Sequence, residues 1–138
     1  MADTLRLELV SPERQLAEED VTEVQVPVLD GYIGVLPGHA PLISELMPGG
    51  VLTYKTHGQE KVLALFGGFV EVQPDYVRVL ADGGEHKEEI NLPEAEEELR
   101  KALEAMQNIH SEAIDPAVAL AEAMRAQARV DAATKTNG

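Results

Sequence analysis

The chain has 138 residues, a hydrophobic fraction of 44%, no cysteine and a formal net charge of −14. This length suits one ordinary domain, or a compact domain with a helical appendage. The absence of cysteine excludes disulfides, thiolate catalysis and cysteine-ligated metals, and the acidic balance argues against nucleic acid and anionic lipid as partners. No apolar run approaches the roughly 20 residues that span a bilayer, so we expect a soluble, cytoplasmic chain without direct lipid insertion.

The first two thirds of the chain predict short β-strands, because apolar and polar residues alternate there. The alternating residues are Leu5, Leu7 and Leu9; Val24, Val26 and Val28; Val70 and Val72; Val77 and Val79; and 62–65 form a continuous apolar run. Turn signals separate these segments at Ser11-Pro12, Asp30-Gly31, Pro37-Gly38, Pro48-Gly49-Gly50, His57-Gly58, Gly67-Gly68 and Pro74-Asp75. This spacing predicts an all-β sandwich of short antiparallel strands over residues 1–88.

Beyond Ile90 the apolar period becomes that of an α-helix. Its members are Ala95, Leu99, Ala102, Leu103, Met106 and Ile109. Asn91 followed by Glu94 has the form of a helix start, in which the amide caps free N–H groups and the glutamate reaches back to the cap. We therefore predict a first helix from about Leu92 to His110.

Asp115 and Pro116 repeat the start signal, as an acidic cap followed by proline at the first helical position. The second helix is predicted to run to about Ala133. The residues between the helices, 111–114, suffice only for a tight reversal, so residues 89–138 predict an antiparallel two-helix hairpin.

The second helix is rich in alanine, which favours helix formation but buries little area per turn. Two interpretations follow: a helix that detaches easily, or a closely packed hairpin without a switching role. The charge is also uneven, because Pro116 to Gly138 carries Arg125, Arg129 and Lys135 against only Glu122 and Asp131. Cations near a helix C-terminus favour the helix dipole, which is the simplest explanation of this asymmetry.

No constellation in the sequence predicts catalysis or a metal site. Gly31, Gly34 and Gly38 lack the Lys-Ser or Lys-Thr pair of a phosphate-binding loop. The four histidines, His39, His57, His86 and His110, are scattered without zinc-ligand spacing. The glutamates of 94–98 are explained by helix-dipole preference and solvation rather than cation binding. A general base at His39 near Asp30 remains an alternative, although no nucleophile motif accompanies it.

Several motifs together resemble the epsilon subunit family of the F-type, proton-driven ATP synthase. They are LRLELVSPERQL, VTEVQVPVLDG, GYIGVLPGHAPLISEL, MPGGVL and FGGFVEVQPDYVRVLAD, in that order between Leu5 and Asp82. The resemblance implies a sandwich of about ten strands followed by two helices, and therefore the architecture that the periodicity predicts.

The resemblance also implies a function without an active site or cofactor. Family members sit in the central stalk, where the sandwich grips the gamma subunit and touches the ring of c subunits. The corresponding c-ring-facing residues are Asp30, Gly31, Tyr32, Gly34, Gly38 and His39, with Tyr32 and His39 as the exposed members. The chain would be a peripheral subunit on the cytoplasmic face of a bacterial inner membrane.

In bacterial members of the family the hairpin is a regulator, which blocks ATP hydrolysis when it extends along gamma into the catalytic hexamer. Arg125, Arg129 and Lys135 would then pair with acidic residues of the catalytic beta subunits. Some members bind ATP through Ile-Asp-x-x-Arg-Ala, but here Asn91 replaces the acid and Glu94 the phosphate-pairing arginine, so nucleotide binding is not expected. The alternative functions are a free-standing adaptor that binds protein partners and a small hydrolase that uses His39 and Asp30.

Overall fold

A computed structural model describes residues 3–108 and 113–136 of the chain, and it contains a β-sandwich followed by two helices. The strands are β1 (Leu5–Val10), β2 (Gln15–Val21), β3 (Glu23–Val28), β4 (Gly31–Val35), β5 (Leu42–Glu45), β6 (Gly50–Thr56), β7 (Gln59–Leu65), β8 (Gly68–Val72), β9 (Tyr76–Ala81) and β10 (Gly84–His86). A 3₁₀ helix at Lys87–Glu89 leads into α1 (Leu92–Gln107), and α2 is Pro116–Thr134. The predicted fold class is confirmed.

The strands form two five-stranded sheets. Sheet A has the order β2-β1-β9-β8-β5, and sheet B has the order β10-β7-β6-β3-β4. The expectation of purely antiparallel strands is wrong at one pair, because β1 and β9 run parallel in sheet A. A parallel pair needs a long connection between its strands, and here all the strands from β2 to β8 supply it.

The core lies between the two sheets and is almost wholly aliphatic. The residues that alternate in the sequence point inward, so that Leu7, Val26, Val70 and Val79 are fully or almost fully buried in one cluster. The apolar run in β7 is buried on both faces of sheet B. Leu63 and Leu65 belong to the core, whereas Val62 and Ala64 face the opposite way and pack with Ala128 and Ala132 of α2. A continuous apolar run is expected of a strand that is covered on both sides.

Both helix starts are capped as the sequence predicts. The Asn91 side chain accepts a hydrogen bond from Glu94 N at 3.1 Å, and Asp115 Oδ1 accepts one from Ala117 N at 2.9 Å. Helix α1 is described as far as Gln107, and the predicted end at His110 lies outside the described residues. The predicted reversal lies partly outside them as well. One prediction is wrong in detail, since the Glu94 carboxylate points to Arg129 instead of back to the cap.

The two helices form successive layers on the outer face of sheet B, with α2 next to the sheet. Helix α2 packs against β6 and β7 on one side and against α1 on the other, so α1 is the outer layer. The pairing is antiparallel, because Arg129 near the end of α2 contacts Glu94 and Glu98 near the start of α1. The small residues Ala119, Ala123, Ala126, Ala128 and Ala132 are buried along α2. The outer face of sheet A carries no helix among the residues that the structure describes.

Candidate functional site

The predicted c-ring-facing residues are distributed along one edge of the sandwich. Asp30 lies in the turn between β3 and β4. Gly31, Tyr32 and Gly34 lie on β4, and the loop after β4 contains Gly38 and His39. Because β4 is the terminal strand of sheet B, these residues border an open sheet edge. Five strand residues span about 16 Å at the usual rise. We call the segment Asp30–His39 the β4 edge.

Tyr32 and His39, the two side chains of this edge that were predicted to be exposed, both make hydrogen bonds. Tyr32 is 54% exposed, and its hydroxyl accepts a hydrogen bond from Val51 N at 3.0 Å. His39 is half-buried, and its Nδ1 lies 2.7 Å from the carbonyl oxygen of Ala40. His39 is therefore less exposed than Tyr32, because its ring bonds to the backbone of its own loop.

The hydrolase alternative requires Asp30 and His39 to lie together. The whole of β4, about 16 Å long at the usual rise per residue, lies between Asp30 before the strand and His39 in the loop after it. Such a separation is too long for a carboxylate to orient an imidazole through a hydrogen bond. The structure therefore gives this alternative no catalytic geometry.

An apolar patch lies on the outer face of sheet A. Ile43, Phe69 and Leu80 are 74%, 54% and 51% exposed. Phe69 on β8 pairs directly with Leu80 on β9, and Ile43 pairs with Glu71, which shares the face of Phe69. Glu45, Glu71 and Arg78 border the patch. We call Ile43, Phe69 and Leu80 the open face. The sequence analysis did not single it out, although Phe69 and Leu80 interrupt the polar positions of their strands.

A buried arginine cluster joins the hairpin to the sandwich. Arg129 of α2 is 5% exposed, and its guanidinium contacts one carboxylate of the sandwich and two of α1. Its Nε lies 2.7 Å from Glu85 Oε1, its Nη2 3.0 Å from Glu94 Oε1, and its Nη1 3.4 Å from Glu98 Oε2. Burial alone lowers the pKa of Arg129, but hydrogen bonding and charge from Glu85, with further contributions from Glu94 and Glu98, raise the pKa above its usual value overall. Arg129 is thus a permanently charged group in this conformation.

The sequence analysis missed the partners of Arg129. Glu94 and Glu98 stand four residues apart and therefore on one face of α1, which was the available signal. Nothing in the sequence pairs that face with Arg129 or with Glu85, because the contacts span 31 to 44 residues.

The other two predicted hairpin cations have different surroundings. The Arg125 side chain is exposed and its guanidinium lies 4.3 Å from the ring centroid of Phe66, a cation–π contact between α2 and the sandwich. Lys135 is half-buried just after α2, and its carbonyl oxygen accepts a hydrogen bond from Lys87 Nζ. Lys87 Nζ also donates to the Ala133 carbonyl at 3.4 Å, so it satisfies carbonyls at the end of α2.

The linker before α1 is held against the sandwich by a second arginine. Arg14 makes two hydrogen bonds to Glu89, of 2.8 and 2.7 Å, and Glu89 also accepts one from His86 N at 2.9 Å. These contacts, the Arg14 hydrogen bonds foremost, lower the pKa of Glu89 to about 2. The linker therefore follows a defined path between the sandwich and α1.

Asn91 and Glu94, where the nucleotide motif of the family is altered, have structural roles of their own. Asn91 caps α1, and Glu94 contacts Arg129. Within residues 3–108 and 113–136, no group of three or more histidines or carboxylates is placed to hold a metal ion. In the same residues, no helix is long and apolar enough to cross a membrane.

Comparisons with known proteins agree with this architecture. Residues 4–87 match the family described as ATP synthase, Delta/Epsilon chain, beta-sandwich domain. The ATP synthase epsilon chain of Solibacter usitatus (strain Ellin6076) is 50% identical over 135 residues, which cover 98% of this chain and 99% of that relative.

Two solved structures share the fold. A chain in the Euglena gracilis mitochondrial ATP synthase, in an OSCP/F1/c-ring structure, superposes with a TM-score of 0.80 at 21% identity, covering 93% of this chain and 80% of that one. A chain in the Tetrahymena thermophila central stalk/c-ring structure has a TM-score of 0.51 at 16% identity, covering 62% and 68%. With the family match and the near full-length relative, these findings show that the chain belongs to the ATP synthase epsilon chain family.

Proposed function

We propose that the chain is a non-catalytic rotor subunit in the central stalk of a bacterial F-type ATP synthase. There it couples proton flow through the c-ring to ATP synthesis through the gamma subunit. The observation that carries this proposal is the unequal use of the two sandwich faces. Sheet B is covered by the chain's own hairpin, whereas no helix among the described residues covers the apolar patch on sheet A, and such an exposed patch favours a protein partner.

The gamma subunit is the proposed partner of the open face. Ile43, Phe69 and Leu80 form an apolar centre, and Glu45, Glu71 and Arg78 give it a charged border. This combination of an apolar centre with a polar rim is typical of a protein–protein interface. A sandwich with a close-packed core suits the transmission of torque, because it resists shear.

Binding to purified gamma subunit tests this proposal. Phe69→Glu places a charge at the centre of the open face, and we expect it to weaken gamma binding at least tenfold. Leu36→Glu is the matched control, since Leu36 is similarly exposed, at 56%, but lies on the β4 edge. Equal gamma affinity of Phe69→Glu and the parent chain would contradict the assignment of this face.

The β4 edge is the proposed c-ring contact. Asp30, Gly31, Tyr32, Gly34, Gly38 and His39 line it from one end of the strand to the other. An extended edge of this kind can touch adjacent subunits of a ring at the same time. Its position at the end of sheet B leaves it free while the open face holds gamma.

The hairpin is the proposed regulator of ATP hydrolysis. After release from sheet B, Arg125, Arg129 and Lys135 become available to acidic residues of the catalytic beta subunits. Deleting the chain after Leu92 and measuring ATP hydrolysis of the reconstituted complex tests this role. Faster hydrolysis supports it, and unchanged hydrolysis removes it while leaving the coupling role intact.

We further propose that the isolated chain does not sense ATP. The Glu94 carboxylate lies 3.0 Å from Arg129 and adds negative charge where phosphate would have to approach. Calorimetric titration with ATP is expected to show no binding in the micromolar range. As part of the complex, the chain is proposed to sit peripherally on the cytoplasmic face of the inner membrane.

A further inference from the structure

The Arg129 cluster connects three parts of the chain, namely the sandwich, α1 and α2. Arg129 belongs to α2, Glu94 and Glu98 to α1, and Glu85 to β10 of the sandwich. The other charged side chains near this junction, Lys87 and Lys135 among them, are exposed or half-buried. Among the described residues, Arg129 is the one charged residue counted as buried.

We propose that Arg129 is a two-part latch that holds the docked hairpin. Its contact with Glu85 fastens α2 to the sandwich, and its contacts with Glu94 and Glu98 fasten α1 to α2. The inference concerns the docked chain alone and does not depend on which partner receives the released hairpin.

We expect the contact of Arg129 with Glu85 to be the stronger of the two parts of the latch. Arg129 Nε and Nη2 approach the two oxygens of Glu85 at 2.7 and 3.3 Å, which is a bidentate arrangement. The Glu85 side chain is only 25% exposed, whereas the side chains of Glu94 and Glu98 are 63% and 40% exposed. Removing one partner of a bidentate and poorly hydrated pair costs more than removing one partner of an exposed ion pair, because the remaining charge is left with little water.

The surrounding packing gives the latch its importance. Around Arg129, α2 buries mainly alanines against sheet B and α1, and these small side chains each remove little apolar area from water. Loss of the charge partners leaves a guanidinium in a site with little access to water, which is costly. We therefore expect loss of a charge partner of Arg129 to weaken docking more than loss of any one of these alanine contacts.

Glu98 shows that the cluster has more acceptors than Arg129 can fill. Its Oε1 is buried without a hydrogen-bond partner among the described residues, while its Oε2 contacts Arg129 at 3.4 Å. The contact with Glu98 is the longest of the three salt bridges. We therefore expect Glu98 to contribute less to the latch than Glu85.

Distances between spin labels on the isolated full chain test the proposal. The sequence has no cysteine, so label pairs can be introduced at chosen exposed sites. Gln59 and Leu120 report the distance from the sandwich to α2, and Leu103 and Leu120 report the distance from α1 to α2. Arg129→Gln is expected to increase the undocked population about tenfold, the size expected for a charge-assisted hydrogen bond.

Arg100→Gln is the matched control, because Arg100 also contacts two carboxylates, Glu97 and Glu104, but both are on its own helix and exposed. It should leave both distances unchanged. Glu85→Gln should lengthen the distance between sandwich and α2 while the distance between the helices is kept. The double variant Glu94→Gln with Glu98→Gln should loosen the helix pair instead.

A charge exchange separates the latch from a general folding defect. Arg129→Glu should undock the hairpin, and adding Glu85→Arg should restore docking in part, because the cluster again holds one cation and three carboxylates. Identical distances in Arg129→Gln, Arg100→Gln and the parent chain would overturn the latch. The latch would also be overturned if adding Glu85→Arg to Arg129→Glu restored no docking. Because no partner is present, neither outcome bears on gamma binding or on hydrolysis in the complex.

Discussion

Gly49 lies directly against the backbone of Met124, so closely that a β-carbon on Gly49 would come within 2.2 Å of the Met124 carbonyl oxygen. The same β-carbon would lie 2.5 Å from Arg125 N. Gly49 therefore forms part of the seat of α2 on the sandwich, and a side chain there cannot be accommodated without moving the helix.

We expect Gly49→Ala to displace the hairpin while the sandwich stays folded. Overpacking of this kind costs about 1–3 kcal/mol. In the assembled enzyme, the variant should shift the hairpin toward its released state and so slow ATP hydrolysis. Hydrogen exchange of the α2 amides measures the displacement, and steady-state hydrolysis measures its consequence.

Gly34→Ala is the control for this experiment. A β-carbon at Gly34 meets only the end of the flexible Gln25 side chain, at 3.0 Å. It should leave exchange in α2 unchanged. Protection of α2 in Gly49→Ala equal to that in the parent chain would show that the helix does not need this close approach.

The Arg14–Glu89 contact predicts a pH dependence of stability. The pKa of Glu89 is lowered to about 2, against about 4.3 for a glutamate in an unfolded chain. A lowered pKa gives stability that is complete above about pH 4.3 and is lost as the pH falls toward 2. Both side chains are more than a third exposed, so the contribution is expected to be below about 1 kcal/mol.

Urea unfolding of Glu89→Gln and the parent chain at pH 6 and pH 2.5 checks this prediction. At pH 6 the parent chain should have a larger free energy of unfolding than Glu89→Gln. This difference between the two chains should narrow at pH 2.5. Glu96→Gln, an exposed change on α1, should show no such narrowing. A constant difference at both pH values would refute the assignment to Glu89.

Tyr54 links the two sheets through the core. It is 2% exposed on β6, and its hydroxyl donates a hydrogen bond of 2.5 Å to Glu19 on β2. Burial, followed by the hydrogen bond and charge of Glu19, raises the pKa of Tyr54 above its usual value. We expect Tyr54→Phe to destabilise the sandwich by about 1–3 kcal/mol, because Glu19 loses its partner. Thermal unfolding measures this, and an unchanged melting temperature would show that Glu19 is satisfied by solvent.

If the β4 edge contacts the c-ring, substitutions along it should weaken c-ring binding step by step. Tyr32→Ala and His39→Ala lie at the two ends of the edge, and each should weaken retention on a gamma–c-ring assembly about threefold to tenfold, the range expected for a peripheral contact. The double variant should lose more than either alone. Gln59→Ala, an exposed residue at the start of β7, is the control. Full retention of the double variant would exclude this edge from the contact.

The sequence predicted those parts of the structure that depend on local pattern. The alternation of Leu5, Leu7 and Leu9 placed their side chains in the core, and Asn91 and Asp115 marked the two helix starts. Contacts between residues far apart in the sequence could not be predicted from local pattern. Leu103 fits the apolar period of α1 but is 48% exposed, because α1 is covered by α2 on one side only. The partners of Arg129 depend on how the whole hairpin sits.

The stacking order of the helices has a consequence for synthesis on the ribosome. Helix α1 emerges first but packs mainly against α2, which follows it. Until α2 has been made, α1 is a helix of 16 residues without its packing surface, and most of the stability of a helix in a protein comes from such packing. The nascent chain can therefore complete its sandwich early, whereas the hairpin assembles in one late step after translation has passed Thr134.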